Sequence, residues 1–396
     1  MKKIWIDGFE ANVPQRLGSS QIAFGLLKTL EQIDKKNEYT ILLTASPMED
    51  LPKERVGWRY RIIKPNAFKT WIAIPWALFT AKEKPDLFFS PTHYTPGFSP
   101  VKKVMMVFDL AYLRFPQFFK PRDLYQMKLW TYLSIKSAER IITISKASRD
   151  DIVKFYNFDK QRITVAYPGY DNEVFYPFKD EIKVKKVLEK YGISGDYILF
   201  IGTIQPRKNL IRLMEAFCKI DNLKLVVVGK TKGPGRQGWM YEEILNKPKE
   251  LGIEGKVIFT GFAPTEDLSY LMRGAVAYAL PSLWEGFGIP VVESMACGTP
   301  AIVSNISSLP EVVGPTGIQV DPYSVEQIEQ AIRIIAFDKK LRAKMSKEGI
   351  KWVERFSWEK MAKEVLRVFE GLGGLEGKGV LRLRSGSLKL GGLEKK

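Results

Sequence analysis

Thirteen short apolar runs, rich in Val, Ile and Phe, are the strongest constraint on how this chain can fold. Seven lie in the first half, at 3–7, 39–44, 60–63, 86–90, 104–108, 140–145 and 162–166. Six follow, at 197–201, 223–228, 256–260, 275–279, 301–304 and 317–320. Most are continuous rather than alternating, the pattern of strands covered on both faces. Such strands need helices above and below them. Helix-period segments lie between many of the runs, and after Gly18 the residues Ile22, Leu26, Leu30 and Ile33 share one face. Alternation of this kind predicts α/β architecture, with parallel sheets and crossover helices.

The alternation restarts near residue 195, after a Pro- and Gly-bearing connector at 167–178. With 396 residues, two doubly wound, Rossmann-like domains of similar size fit, spanning 1–177 and 178–355 around a central cleft. Met361, Val365 and Val368 then share a helical face within 356–370. The basic segment 371–396 holds eight glycines, which predicts a mobile tail. In doubly wound sheets, ligands sit beyond the carboxyl ends of the strands, so the loops there carry the chemistry.

Composition removes several classes. Cys218 and Cys297 are too few for a disulfide framework or a Cys-rich zinc module. A lone histidine, His93, excludes His-cluster metal sites. The start of the chain lacks the apolar core of a signal peptide, and no run of about 18 apolar residues occurs, so a cytoplasmic protein is expected. Net charge is +17, divided as +9 over 1–180, +4 over 181–370 and +4 over 371–396. Such an excess suits phosphorylated small molecules, anionic lipid heads or nucleic acid, or serves solubility alone.

Two phosphate-loop look-alikes fail on context. Residues 233–238 match GxGxxG, but the strand before them ends four residues earlier and Pro234 interrupts the glycines. Gly229-Lys230-Thr231 resembles the end of a Walker loop, but Lys224 stands where its first glycine belongs.

Two other loops carry more. Pro281-Ser282-Leu283-Trp284-Glu285-Gly286-Phe287-Gly288 follows a strand and runs into a helix containing Glu293. Gly286 and Gly288 permit close backbone approach to a ligand, and free N–H groups at a helix start hold anions. Glu285 and Glu293 are either acceptors for vicinal sugar hydroxyls on one cleft edge or solvated helix charges. Gly202-Thr203-Ile204-Gln205-Pro206-Arg207-Lys208-Asn209 also follows a strand. Two cations at a helix start oppose the macrodipole. A bound phosphate resolves that conflict; a tolerated surface pair is the alternative.

Together these loops resemble the carboxyl-terminal half of glycosyltransferase family four, retaining enzymes of the two-domain GT-B fold (glycosyl transferases group 1). The ordered match continues through Gly298-Thr299-Pro300, Ser304-Asn305 and Leu309-Pro310-Glu311-Val312, and more loosely through Gly18 and Phe356-Ser357-Trp358-Glu359-Lys360. The resemblance implies that Arg207 and Lys208 hold the diphosphate of a UDP- or GDP-linked sugar. It implies that Glu285 meets donor-sugar hydroxyls beside the Gly286, Phe287 and Gly288 backbone. Glu293 would bind the ribose, and Gly18 would face the diphosphate from the acceptor-side, amino-terminal domain. The helix within 356–370 is expected to cross back onto that domain.

Phe108-Asp109 departs from the His-Asp pair the family often carries. Asp109 keeps its position, as a substrate contact or a turn cap. His93 lies on another loop, as a satisfied structural group or a substrate contact. No Asp-x-Asp occurs in the sequence, so a metal-independent reaction with no resident cofactor is expected. Arg207 and Lys208 would stabilise the leaving charge as an oxocarbenium-like sugar forms. The expected activity is retaining hexosyl transfer, mannosyl or glucosyl in type, to a saccharide or lipid-linked acceptor. Alternatives are a GT-B epimerase or glycogen-type synthase, or a basic nucleic-acid-binding protein. No recognised nucleic-acid module appears, so no nucleic-acid partner is expected. Lys64, Lys69, Trp71, Trp76, Phe79, Lys82 and Lys84 predict peripheral attachment to an anionic membrane, on the inner face of the plasma membrane. Burial of Trp71 and Trp76 in the core is the alternative.

Overall fold

A computed structural model describes residues 1–178, 180–230 and 241–372. The GxGxxG segment and the tail from 373 onward lie outside the described residues. All thirteen runs form strands, with boundaries within two residues of expectation. They are β1 (Lys3–Asp7), β2 (Glu38–Leu43), β3 (Trp58–Ile62), β4 (Leu87–Ser90), β5 (Lys102–Val107), β6 (Arg140–Thr143) and β7 (Ile163–Val165). The second set is β8 (Tyr197–Ile201), β9 (Lys224–Val228), β10 (Val257–Gly261), β11 (Ala277–Leu280), β12 (Ala301–Ser304) and β13 (Ile318–Val320).

The first sheet runs β3-β2-β1-β4-β5-β6-β7 and the second β10-β9-β8-β11-β12-β13. Every pairing between these strands is parallel. Both sheets reverse strand order at one point, between β1 and β4 and between β8 and β11. Adjacent loops diverge there and leave a crevice beyond the strand ends. β1, β4, β8, β9, β11 and β12 are buried along nearly their whole length, as continuous apolar runs require. In the helix Ser19–Ile33, the residues Ile22, Leu26 and Leu30 are buried and Ile33 is half-buried.

The helix Trp358–Gly371 follows the second sheet yet packs on the first. Ser357 caps its start by accepting from the Lys360 N–H at 3.2 Å. Met361, Ala362, Val365, Val368 and Phe369 are buried. The Phe369 ring meets Phe89 of β4 edge-on at 5.2 Å. Lys102 Nζ donates to Leu372 O at 3.1 Å, and Lys2 Nζ donates to Phe369 O, satisfying carbonyls that the last turn leaves open. Gly25 makes the close approach possible, since a Cβ there would lie 2.7 Å from the Trp358 ring.

Among the described residues, no helix is long and apolar enough to cross a membrane. The two tryptophans of the basic stretch part company. Trp71 is half-buried and packs edge-on against Trp130 at 5.7 Å, whereas Trp76 is 69% exposed.

Gly169 gives a direct test of this packing. A Cβ there would sit 2.2 Å from the Trp358 backbone nitrogen, which no side-chain movement can relieve. Gly169→Ala is expected to cost about 1–3 kcal/mol through overpacking. Gly255→Ala, which faces open space, serves as control. A melting temperature for Gly169→Ala equal to that of the control would contradict the packing.

Candidate active site

The loops after β8 and β11 leave neighbouring strands at the switch point of the second sheet, which explains why two motifs far apart in sequence meet. Asn209, in the left-handed region at φ +60°, ties them together. Its Nδ2 donates to Pro281 O at 2.9 Å and to Pro322 O at 2.6 Å. The Leu283 N–H donates to Arg207 O at 2.8 Å. Arg207 and Lys208 sit in a 3-10 turn, Pro206–Lys208, before the helix Leu210–Phe217 rather than inside its first turn. The macrodipole conflict expected from the sequence is met inside the protein. Lys208 Nζ reaches Glu285 Oε1 at 2.6 Å and Arg207 Nη1 reaches Oε2 at 3.3 Å. Ser282 Oγ also donates to Glu285 Oε1, at 2.7 Å. Arg207 donates a second bond to Trp284 O.

Glu285 is only 6% exposed, so the alternative of a solvated helix charge does not hold. Burial pushes its carboxyl up, but Lys208 and Arg207 outweigh that and hold it at about 2. Burial also opposes charge on Arg207, yet Glu285 and Asp109 raise its pKa further. Lys208 is lowered by burial against the pull of Glu285. Two cations share one ionised carboxylate, leaving a net positive charge at the cleft wall.

The cleft holds about 1270 Å³. Gly18, Asp109, Arg207, Lys208, Glu285, Gly286, Phe287, Gly288 and Glu293 all line it, together with His93. Gly288, at φ +105°, begins the helix Ile289–Ala296. The Phe287 ring is buried against Tyr167 and Phe356, at 5.9 and 5.3 Å, so its part in the site rests on backbone. A Cβ on Gly286 would lie 2.8 Å from Phe108 O, so the glycine loop touches the amino-terminal wall there. Glu293 is 5% exposed and accepts from Gln21 Nε2 across the cleft at 3.4 Å. Burial raises its carboxyl to about 7, with Asp171 adding to the shift.

On the amino-terminal wall, Asp109 Oδ1 accepts from the Ala111 N–H at 2.9 Å, so it caps its turn while facing the cleft. Phe108 O accepts from Ser148 Oγ at 2.7 Å. His93 stands between Tyr94 and Tyr112, with ring centroids at 5.4 and 6.3 Å. Its Nε2 is enclosed without a hydrogen-bond partner, so it is not a satisfied structural group. Burial lowers its pKa to about 4, partly opposed by Asp109, and the ring is neutral at physiological pH.

Sequence reasoning missed several residues that hold the site. Gln21 meets Glu293 from 272 positions away. Ser308 Oγ reaches both Glu285 O and Phe287 O at 3.0 Å, bracing the glycine loop. Glu311 accepts from the Lys146 and Ala147 N–H groups at 3.2 Å and from Tyr167 Oη at 2.7 Å, which binds the two domains. Glu311 stood inside a recognised motif, but nothing local signalled its partners. Among the described residues, no cluster of three His, Cys, Asp or Glu side chains could hold a metal.

The raised carboxyl of Glu293 generates a pH dependence. A carboxyl neutral in the fold but ionised in the unfolded chain supports folding fully below its ordinary pKa, near 4.5. That support is lost as pH rises through about 7. The amide of Glu293→Gln never ionises, so its melting temperature relative to wild type should climb from pH 5 to pH 8. A difference constant across that range would contradict the assignment.

Comparison with known proteins adds an independent line. Residues 18–174 match the family model for Glycosyltransferase Family 4, and residues 184–352 match that for Glycosyl transferases group 1. O-antigen chain mannosyltransferase B of Escherichia coli is 30% identical over 302 residues, covering 74% of this chain and 76% of the relative. Sucrose-phosphate synthase from Thermosynechococcus elongatus superposes with a TM-score of 0.73 at 18% identity, over 94% of this chain and 99% of that one. The Anabaena protein HepE, in complex with UDP and glucose, gives the same TM-score and identity, over 94% of this chain and 100% of its own. The chain therefore belongs to the glycosyl transferases group 1 family and is a glycosyltransferase of GT-B fold.

Proposed function

We propose that the enzyme moves a hexose, mannosyl or glucosyl, from a UDP- or GDP-linked donor to a saccharide or lipid-linked acceptor, with retention and without a metal. The observation that carries this reading is the pair of half-buried cations held on the buried Glu285 carboxylate at the cleft wall. A relative named as a mannosyltransferase and a structural neighbour bound to UDP and glucose support a hexosyl donor. The diphosphate brings more negative charge than a single carboxylate. Arg207 and Lys208 turn to it, and Glu285, released on one side, accepts from donor-sugar hydroxyls. Negative charge grows on the diphosphate as the anomeric C–O bond breaks, so the cations act on the transition state more than on the ground state. Glu293 accepts from the ribose, and Gly18 leaves room for the diphosphate on the opposite wall. Asp109 lines the acceptor side. Attack from the face the diphosphate leaves gives retention. The absence of Asp-x-Asp from the sequence supports catalysis by cations alone.

A second reading concerns location. Phe68, Ile72, Trp76, Phe79 and Phe98 are exposed on the amino-terminal domain. Gly97 packs on the Trp71 ring, with its Cβ position 3.3 Å away, and so brings Phe98 beside the same stretch. With Lys64, Lys69, Lys82 and Lys84 nearby in sequence, the patch suits peripheral contact with an anionic lipid surface.

Each of Arg207→Ala and Lys208→Ala should lower release of nucleoside diphosphate from the preferred sugar nucleotide by roughly 10²–10³-fold, in EDTA as in its absence. Near-wild-type rates in both variants, or loss of wild-type activity in EDTA restored by manganese, would sink the mechanism. UDP or GDP should raise the melting temperature where oligonucleotides do not. Flotation should recover the protein with anionic vesicles at low salt, and less at high salt. Equal absence from anionic and neutral vesicles would remove the membrane reading.

A further inference from the structure

Arg114 ends the short helix Ala111–Arg114, which follows the Asp109 turn. Its Nε lies 3.0 and 2.8 Å from the two carboxylate oxygens of Asp151, and Nη2 donates to Oδ1 as well. Asp151 belongs to the helix Lys146–Tyr156 and is 1% exposed, so the guanidinium is fixed in direction by a buried fork. From that anchor it lies across to the other domain. Arg114 Cζ stands 3.9 Å from the ring centroid of Trp284, well within cation–π range. Trp284 is buried, and its Nε1 has no hydrogen-bond partner, so the ring is held by packing and this stack alone among its polar options.

The position of Trp284 gives the contact its consequence. It immediately precedes Glu285, and its carbonyl accepts from Arg207. Whatever seats Trp284 also sets where Arg207 and Glu285 stand. Neither Arg114 nor Trp284 lines the cleft. The same helix that carries Asp151 has its first N–H groups on Glu311 of the other domain, so a second contact across the domains lies alongside.

We propose that Arg114 is a positioning residue: fixed by Asp151 and stacked on Trp284, it seats the 281–288 loop against the amino-terminal domain and so places Arg207 and Glu285 for the departing diphosphate. The inference rests on the glycosyl-transfer reading of the cleft. Arginine suits the task because its planar fork engages a carboxylate along an edge while its face stacks on a ring. Removing Arg114 alone would strand the buried Asp151 charge, so the informative change is on the far side of the stack.

The test compares wild type, Trp284→Leu, Trp284→Phe and the pair Arg114→Met with Asp151→Asn, using UDP-glucose and GDP-mannose. Trp284→Leu leaves the Arg114–Asp151 pair intact. Turnover should fall about 5–30-fold in Trp284→Leu and in the double variant, the range of a desolvated cation–π contact. Trp284→Phe should recover most of it. Affinity for the nucleoside diphosphate should fall less than turnover does, because negative charge grows on the diphosphate as the anomeric bond breaks and misplaced cations are felt most in the transition state. The radius of gyration from small-angle scattering should rise in the impaired variants, reporting a looser cleft. Unchanged turnover in Trp284→Leu overturns the proposal, as does a loss that Phe does not rescue or one confined to nucleotide affinity. A wild-type enzyme inert toward both sugar nucleotides overturns the transfer reading beneath it instead.

Discussion

One buried carboxylate shared by two cations organises this molecule. Glu285 can stay ionised inside the cleft wall only because Arg207 and Lys208 stand against it, and the cations can stay there only because of Glu285. Removing Glu285 leaves two cations at the wall without a counter-charge, which is strongly unfavourable, whereas removing either cation leaves a single ion pair. The arrangement explains why neighbouring backbone is so tightly specified. Asn209 in a left-handed conformation, Ser282 and Ser308 each hold one part of the two loops that present these charges.

The parallel sheet is what brings the charges together. Strand order reverses between β8 and β11, so the loops leaving those strands diverge around a common crevice. The loops begin almost 80 residues apart in sequence, yet Lys208 and Glu285 meet within hydrogen-bond distance. The first sheet repeats the reversal between β1 and β4, and it is the loops after β1, β4 and β5 that supply Gly18, His93 and Asp109 to the opposite wall. The cleft is thus the meeting of two switch points. The helix Trp358–Gly371, Glu311 and Arg114 hold the two sheets face to face.

Much of this was legible in the sequence because parallel strands buried on both faces write themselves as continuous apolar runs, and because glycines and charges following such runs mark ligand loops. The strand set and the loops at 202–209 and 281–288 were readable on those grounds, whereas Gly18, Asp109 and the roles of Glu285 and Glu293 came from the resemblance to the family. What was not readable depends on pairs of residues that periodicity cannot connect. Gln21 with Glu293, Glu311 with Lys146 and Ala147, and Arg114 with Trp284 are separated by 164 to 272 positions. The cation pair shows the same limit in another way. The sequence exposed the electrostatic conflict at 207–208 and pointed to an outside anion, whereas the fold supplies Glu285 first. Trp71 and Trp76 look alike in sequence, yet Trp130 covers one and leaves the other in solvent.

If Glu285 stands where the diphosphate must draw the cations away, carboxylate and ligand compete for the same charges. Calorimetric titration of UDP and GDP into wild type and Glu285→Gln measures that competition. Glutamine keeps the shape and can still accept from Ser282 while removing the charge. The variant should bind its nucleoside diphosphate more tightly, by on the order of tenfold, a modest share of a close charge–charge interaction, while transferring sugar more slowly. Weaker nucleotide binding by Glu285→Gln would contradict it.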